Sequence, residues 1–179
     1  MALLGVVLDD IVRQAMAKWP NVPDCHGWLG LDARGDWYMR DDATQAAGPF
    51  PLAKGSRLQH AKLIEFIARN YDSDSAGRWF FQNGPQRVFV ELEATPHIAR
   101  VGPTGICLHT GESWSPTMCL VDEAGLLYVA DDERVCRVHT QDMVQAVDWI
   151  EQKKWTPNEI LQAELPGRFG YVRSPAAQP

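Results

Sequence analysis

An α+β fold made of two repeated β-hairpin–helix units with antiparallel sheets is what this sequence predicts, on three observations. The stretch Gly77–Val101 alternates from Val88, with Val88, Val90 and Leu92 on one side and Arg87, Phe89, Glu91 and Glu93 on the other. A period of two over this length marks a strand, here with one face buried, and Asn83-Gly84-Pro85 supplies the turn of its hairpin. Apolar residues spaced by three and four mark helices over Ser56–Asn70 and Thr140–Trp149. Finally, Leu29–Asp42 aligns without gaps on Cys119–Asp132, with identity at Asp32/Asp122, Gly35/Gly125, Tyr38/Tyr128, Asp41/Asp131 and Asp42/Asp132. A helix follows at nearly the same distance, Leu63-Ile64 and Phe66-Ile67 matching Met143-Val144 and Ala146-Val147. Duplication explains the match better than chance does, and the seam between two copies is a natural place for a cleft.

In chain order, Leu8–Lys18 is an amphipathic helix with Leu8, Ile11, Val12, Ala15 and Met16 on one stripe, acidic residues in its first turn and Pro20 beyond its end. Such a helix docks on the body of the protein. Pro23–Met39 is a hairpin turning at Asp32-Ala33-Arg34-Gly35. Asp41–Gly55 reads as a loop, long enough to suggest a functional role. Ser56 is the expected N-cap of the next helix. Tyr71–Ala76 is a polar loop, Ile106–His109 a short strand, and Thr110–Thr117 a second loop. Met118–Ala130 is a hairpin turning at Asp122–Gly125, Val135–Val138 a strand, and the helix from Thr140 carries Met143, Val144, Ala146 and Val147 on its apolar stripe. Residues from Asn158 on are expected to be a loosely ordered tail. The organisation is thus 1–20 docking helix, 21–105 first unit, 106–157 second unit and 158–179 tail.

Composition narrows the class. The 179 residues are 45% hydrophobic and 22% charged, ordinary for a globular protein of one domain or two small halves. A net charge of −6 argues against a general nucleic-acid or anionic-membrane binder. No apolar run reaches the ~20 residues of a membrane span. Seven Trp imply an aromatic core or a stacking pocket. Cys25, Cys107, Cys119 and Cys136 form no CxxC pair and read as reduced thiols of a cytoplasmic protein. Met1–Val7 is apolar but lacks a basic start and is followed by Asp9-Asp10, so it does not read as a signal peptide.

No reaction is legible. His26, His60, His97, His109 and His139 are isolated, with no HExxH or HxH, so no metal or cofactor is expected. Cys25-His26 could suggest a thiol nucleophile, but such pairs are spatial rather than sequential. The pairs Asp41-Asp42 and Asp131-Asp132 could act as acid and base if buried, though caps and turns use the same residues. No Walker spacing is present, yet Lys54-Gly55-Ser56-Arg57 before a helix start would suit an anion. His60 and Arg87 could join it, and Trp37 or Trp79 could stack a base. The candidate ligand set is therefore Trp37, Lys54, Ser56, Arg57, His60, Trp79 and Arg87.

The run Gly35-Asp36-Trp37-Tyr38, the helix to Ile67, Gly77-Arg78-Trp79-Phe80-Phe81 and Gln86–Pro96 resemble an uncharacterised bacterial family of domains of unknown function. The resemblance covers Trp28–Val101 and, through the repeat, Met118–Ile150, and places the chain in a sister family. It implies a hairpin–helix–hairpin first half, a second half like a pleckstrin-homology barrel, and a small, nucleotide-like ligand bound between the halves in signalling. The expected function is accordingly non-catalytic binding of a small anionic ligand, such as a nucleotide or phosphorylated metabolite, linked to regulation. One alternative is a protein–protein interaction module or homodimer using the outward face or edge of Val88–Leu92. The other is a hydrolytic enzyme with a Cys/His or carboxylate site assembled in space.

Overall fold

In a computed structural model, described for residues 8–153 and 155–178, the chain forms two units, each organised on one mixed sheet. The expectation for Met1–Val7 lies outside the described residues. The first unit takes residues 8–32, 36–93 and 172–178, and the second takes 33–35 and 94–171. The α+β class is therefore observed.

The elements, in order, are α1 (Asp10–Lys18), β1 (Cys25–Leu31), β2 (Trp37–Met39), α2 (Asp42–Ala47), β3 (Ser56–Arg57), α3 (Ala61–Arg69), β4 (Tyr71–Ser73), β5 (Trp79–Asn83) and β6 (Gln86–Leu92). The second unit continues with β7 (His97–Val101), β8 (Ile106–Leu108), β9 (Ser113–Trp114), β10 (Met118–Val121), β11 (Leu127–Ala130), β12 (Val135–Val138), α4 (Met143–Lys153), β13 (Asn158–Glu159) and α5 (Leu165–Phe169).

The first sheet runs β3-β2-β1-β6-β5-β4 and the second β13-β10-β11-β12-β7-β8-β9. Reversed and stripped of β13, the second order is that of the first. In each, two antiparallel three-stranded meanders meet through a parallel pair of their first and sixth strands, β1 with β6 and β7 with β12. Two sheets of one strand order are what a duplicated core produces. The segments that match in sequence, however, are not equivalent in this order. Both are meanders followed by a helix, but β1, the first strand of its meander, joins the other half of its sheet. In the second unit the last strand, β12, does so.

Local signals placed the hairpins correctly. Asp32 Oδ1 accepts from the Asp36 N–H at 2.9 Å, and Gly35 takes φ 82°. Asp122 Oδ1 accepts from the Ala124 and Leu126 N–H groups at 2.9 Å, with Gly125 at φ 79°. Gly84, first of the two residues between Asn83 and Gln86, takes φ 57°, as the first position of a type II′ turn requires. The leading helix docks as expected, burying Val12, while Asp9 meets Arg69 at 3.3 Å.

Four expectations are corrected. The helix predicted from Ser56 begins at Ala61, because Ser56 and Arg57 pair with Met39 and Tyr38 as a third strand. Tyr71–Ser73 is an edge strand rather than loop, since Tyr71 is buried and meets Trp37 edge-on at 5.2 Å. The strand Gln86–Leu92 is buried on both faces over Phe89–Leu92 and lies inside its sheet between β1 and β5, so it has no free edge and the outward face expected at Phe89 and Glu91 is covered. On α4 the inward stripe is Ala146 and Ile150 with Met143, leaving Val144 79% exposed.

Two further segments assumed loose are built in. Arg40, almost wholly buried, donates to the carbonyls of Gly27 at 2.9 Å, Gly48 at 2.7 Å and Ala53 at 3.0 Å, pinning the 41–55 segment, whose start Asp41 caps through the Thr44 N–H. From Asn158 on, the chain adds β13 to β10, buries Ile160, Leu165 and Tyr171 in the second unit, and then returns to the first. There the Leu92 N–H donates to Arg173 O at 2.8 Å. Buried Glu91 accepts from the Ser174 hydroxyl at 2.5 Å and the Ala176 N–H at 3.3 Å. A chain ending at Tyr171 strips Glu91 of both donors, and an unsatisfied buried group costs at least about 1–3 kcal/mol. Urea unfolding should show that loss, and an unchanged midpoint would show that the segment contributes nothing.

Candidate functional site

The sequence-selected residues do not assemble into one site. Trp37 is 2% exposed and wedged in the core, so no base can reach its face. Trp79 is tilted against Tyr71 at 4.8 Å. Ser56 is an exposed strand residue, and His60 caps α3, its Nδ1 accepting from the Leu63 N–H at 3.3 Å. Lys54 lies 3.1 Å from Asp32 and 3.5 Å from Glu93, and Arg57 lies 3.7 Å from Asp36. The net charge of that cluster is negative, which disfavours an anion. Burial pulls the Lys54 ammonium down, but the Asp32 hydrogen bond and the Asp32 and Glu93 charges outweigh it, so its pKa is raised. Arg87 lies over Phe80 at 4.5 Å. The register Arg57–Tyr38–Gly30–Glu91 puts Arg57 three strands across and four residues along from Arg87, a separation on the order of 20 Å.

The histidines and thiols have structural surroundings. His26 stacks on Phe89 at 4.7 Å, and His109 Nδ1 accepts from the Ile98 N–H at 3.1 Å. Burial, then the charges of His109 and Arg134, hold His97 well below the usual imidazole range. Burial raises the Cys25 thiol and pushes Cys119 up to about 11, the opposite of what a nucleophile needs. Asp131 ties a turn through the Glu133 and Arg134 N–H groups, so this member of the repeated acidic pairs acts locally, as Asp41 does. Among the described residues no three His, Cys, Asp or Glu side chains are grouped to hold a metal ion.

A cavity of about 750 Å³, widely open to solvent, lies instead at the β7–β8–β9 edge of the second sheet. Its wall includes Arg100, the 102–105 turn, Cys107, Ser113, Trp114, Ser115 and Asp142. Cross-strand pairing puts Arg100 opposite Cys107 and Cys107 opposite Ser113 on one face, with Val101, Ile106 and Trp114 on the other, so the cavity wraps the sheet edge. Arg100 binds Asp142 through Nε at 2.6 Å and Nη2 at 3.1 Å, and the Val101 N–H donates to the same carboxylate at 3.1 Å. The indole Nε1–H of Trp114 donates to Asp131 at 3.2 Å and Arg134 lies over its ring at 5.7 Å, fixing its orientation. Sequence reading passed over these residues because they come from three separate short segments with no motif among them.

The Arg100 hydrogen bond, the Val101 N–H and the Arg100 and His139 charges outweigh burial and hold Asp142 below the usual carboxylate range. Its contribution to stability is therefore complete above its ordinary pKa of 3.8 and fades as pH falls toward the lower folded value. Asp142→Asn should flatten that part of the acid side of a stability–pH curve; an unaltered slope would show that the pair is not formed in solution. Alkylation followed by mass spectrometry should modify Cys107 in the native protein while Cys119 and Cys136, buried in the core, react only on unfolding. Equal rates for all three would contradict this packing.

A family model, DUF2944, described as Protein of unknown function (DUF2946), matches residues 8–176. Among solved structures the chain is similar to a DUF1285 family protein from Silicibacter pomeroyi DSS-3, 12% identical over 83% of this chain and 79% of that one, with a TM-score of 0.49. It is also similar to a DUF1285 family protein from Shewanella baltica OS155, 14% identical over 68% of this chain and 91% of that one, with a TM-score of 0.44. No curated protein matches it. No helix among the described residues is long and apolar enough to cross a membrane.

Proposed function

Because the chain belongs to the DUF2944 family of proteins of unknown function, we propose from its own residues that it is a binding protein holding a small polar molecule in the second-unit cavity. The observation that carries this reading is the cavity itself. At about 750 Å³ it falls within the ~300–1,000 Å³ typical of small-molecule sites. Its lining has the composition such sites use: an indole and aliphatic wall, a guanidinium, hydroxyls and turn backbone. Binding rather than catalysis is supported by the Cys25 and Cys119 thiols, whose pKa burial raises, and by an Arg100–Asp142 pair whose charges satisfy each other. Buried thiols used as small core side chains fit a cytoplasmic setting.

The test is a thermal-shift screen of small polar metabolites. A ligand at a hundredfold excess over its Kd stabilises the folded state by about 2.7 kcal/mol. The stabilisation should vanish in Trp114→Ala and persist in Arg57→Ala. A shift lost in Arg57→Ala and kept in Trp114→Ala would move the site to the first unit.

A further inference from the structure

The ladders beside the cavity fix which backbone groups of β9 are already used. The Gly102 N–H donates to Gly105 O and the His109 N–H to Ile98 O, so Cys107, midway in that register, spends its own N–H and C=O on β7. Ile106 and Leu108 on either side turn theirs toward β9, as the Leu108 N–H does in donating to Glu112 O at 2.8 Å. Trp114, opposite Ile106, faces inward in the same way. A trans peptide holds its C=O and N–H on opposite sides, and the cis bond of this chain is Phe50-Pro51. The Ser113 C=O and the Ser115 N–H therefore point away from the sheet, one on each side of Trp114. Among the described residues no hydrogen bond reaches either, and β9 ends its sheet. Ser113, Trp114 and Ser115 all line the cavity. Side chains alternate along an extended chain, so a cavity that meets three consecutive residues meets them along the edge.

Resting on the cavity reading above, we infer that the ligand is a short extended peptide. One of its residues lies alongside Trp114, donates its N–H to Ser113 O and accepts the Ser115 N–H on its C=O. An acceptor and a donor two residues apart on one edge are what a single residue of a parallel strand satisfies. Strand pairing sets the rest. The side chain of that residue falls on the face that carries Trp114, Ile106 and Val101, so it is apolar. Arg134 lies over the indole ring at 5.7 Å, and the ligand side chain packs beside the indole rather than on that covered face. Charge disfavours an anionic peptide, because Arg100 and Arg134 are set against Asp142, Glu112 and Asp131, two cations against three carboxylates. β9 is only two residues long, and so short an edge resists a long added strand or a second copy of the chain. A peptide of about three residues uses the one donor and one acceptor that the edge offers.

The test titrates the full chain with an acetylated alanyl-leucyl-alanine amide, the same peptide N-methylated at its leucine, and the same peptide with a free C-terminal carboxylate. NMR follows the Ser115 amide and the Trp114 indole. The parent peptide should move the Ser115 amide proton downfield, slow its exchange with solvent and shift the indole signal. N-methylation removes the donor to Ser113 O and should weaken binding about tenfold, the size of one hydrogen bond. The carboxylate form should bind no tighter than the amide. Ser115→Pro removes the outward N–H while sparing the ladder to β8, and should also weaken binding about tenfold. If the peptides shift the indole signal but leave the Ser115 amide unmoved, and N-methylation has no effect, the cavity reading stands and the strand pairing is overturned. If no peptide moves either signal, the peptide assignment is overturned; the cavity reading then survives only if a metabolite from the thermal-shift screen moves the indole signal. Tighter binding of the carboxylate form overturns the charge argument. A Ser115 shift that grows with protein concentration in the absence of peptide puts a second copy on the edge and overturns the assignment. Because the comparison of peptides needs only the wild-type chain, it holds whether or not Ser115→Pro folds.

Discussion

One parallel ladder in the middle of each sheet is the constraint on which the rest of the architecture depends. Leu29, Gly30 and Leu31 pair with Val90, Glu91 and Leu92 in the first unit, and Cys136, Arg137 and Val138 with His97, Ile98 and Ala99 in the second. Parallel neighbours cannot be joined by a tight turn. Here the connection between them is made by the other strands of the sheet, so each ladder joins two meanders into one sheet. Central parallel strands are covered on both faces. That is why Phe89, Val90, Glu91 and Leu92 are all buried, and why a carboxylate on this strand needs donors from elsewhere in the chain. Ser174 and Ala176 supply them, which makes the returning C-terminal segment part of the first unit.

Buried charge in the first unit is settled locally in the same way. Arg40 spends its guanidinium on three carbonyls, and Lys54 is held between Asp32 and Glu93. These groups fix the 41–55 segment and the hairpin; little donor capacity remains for a ligand. In the second unit Arg100 on β7 meets the Asp142 carboxylate, and the sheet ends two strands away at β9, which is only two residues long.

The common strand order and the sequence match report duplication at different levels. The order pairs β1–β3 with β7–β9. The identities instead join the β1–β2 hairpin to β10–β11, with Asp32 and Asp122 closing the same kind of turn in each. An Asp that ties its own turn and a glycine at positive φ are required by the turn wherever it occurs. Identity at those positions therefore follows hairpin geometry and does not specify a place in the sheet.

By itself the sequence determined what depends on neighbours within a few residues: the α+β class, the hairpins at Asp32–Asp36, Gly84-Pro85 and Asp122–Leu126, the docking helix, and the local roles of Asp41 and Asp131. Each follows from backbone hydrogen bonds and side-chain periodicity that a short peptide already contains. Only the tertiary structure decided the ladder between β1 and β6, the second buried face of β6, the start of α3 at Ala61 and the pairing of Arg100 with Asp142. The physical reason is shared: a short edge strand such as Ser56-Arg57 has too few residues to show a period, and its identity comes from the partner it pairs with. In the same way, Arg100 gains a chemical role from a carboxylate 42 residues away, which no local pattern encodes.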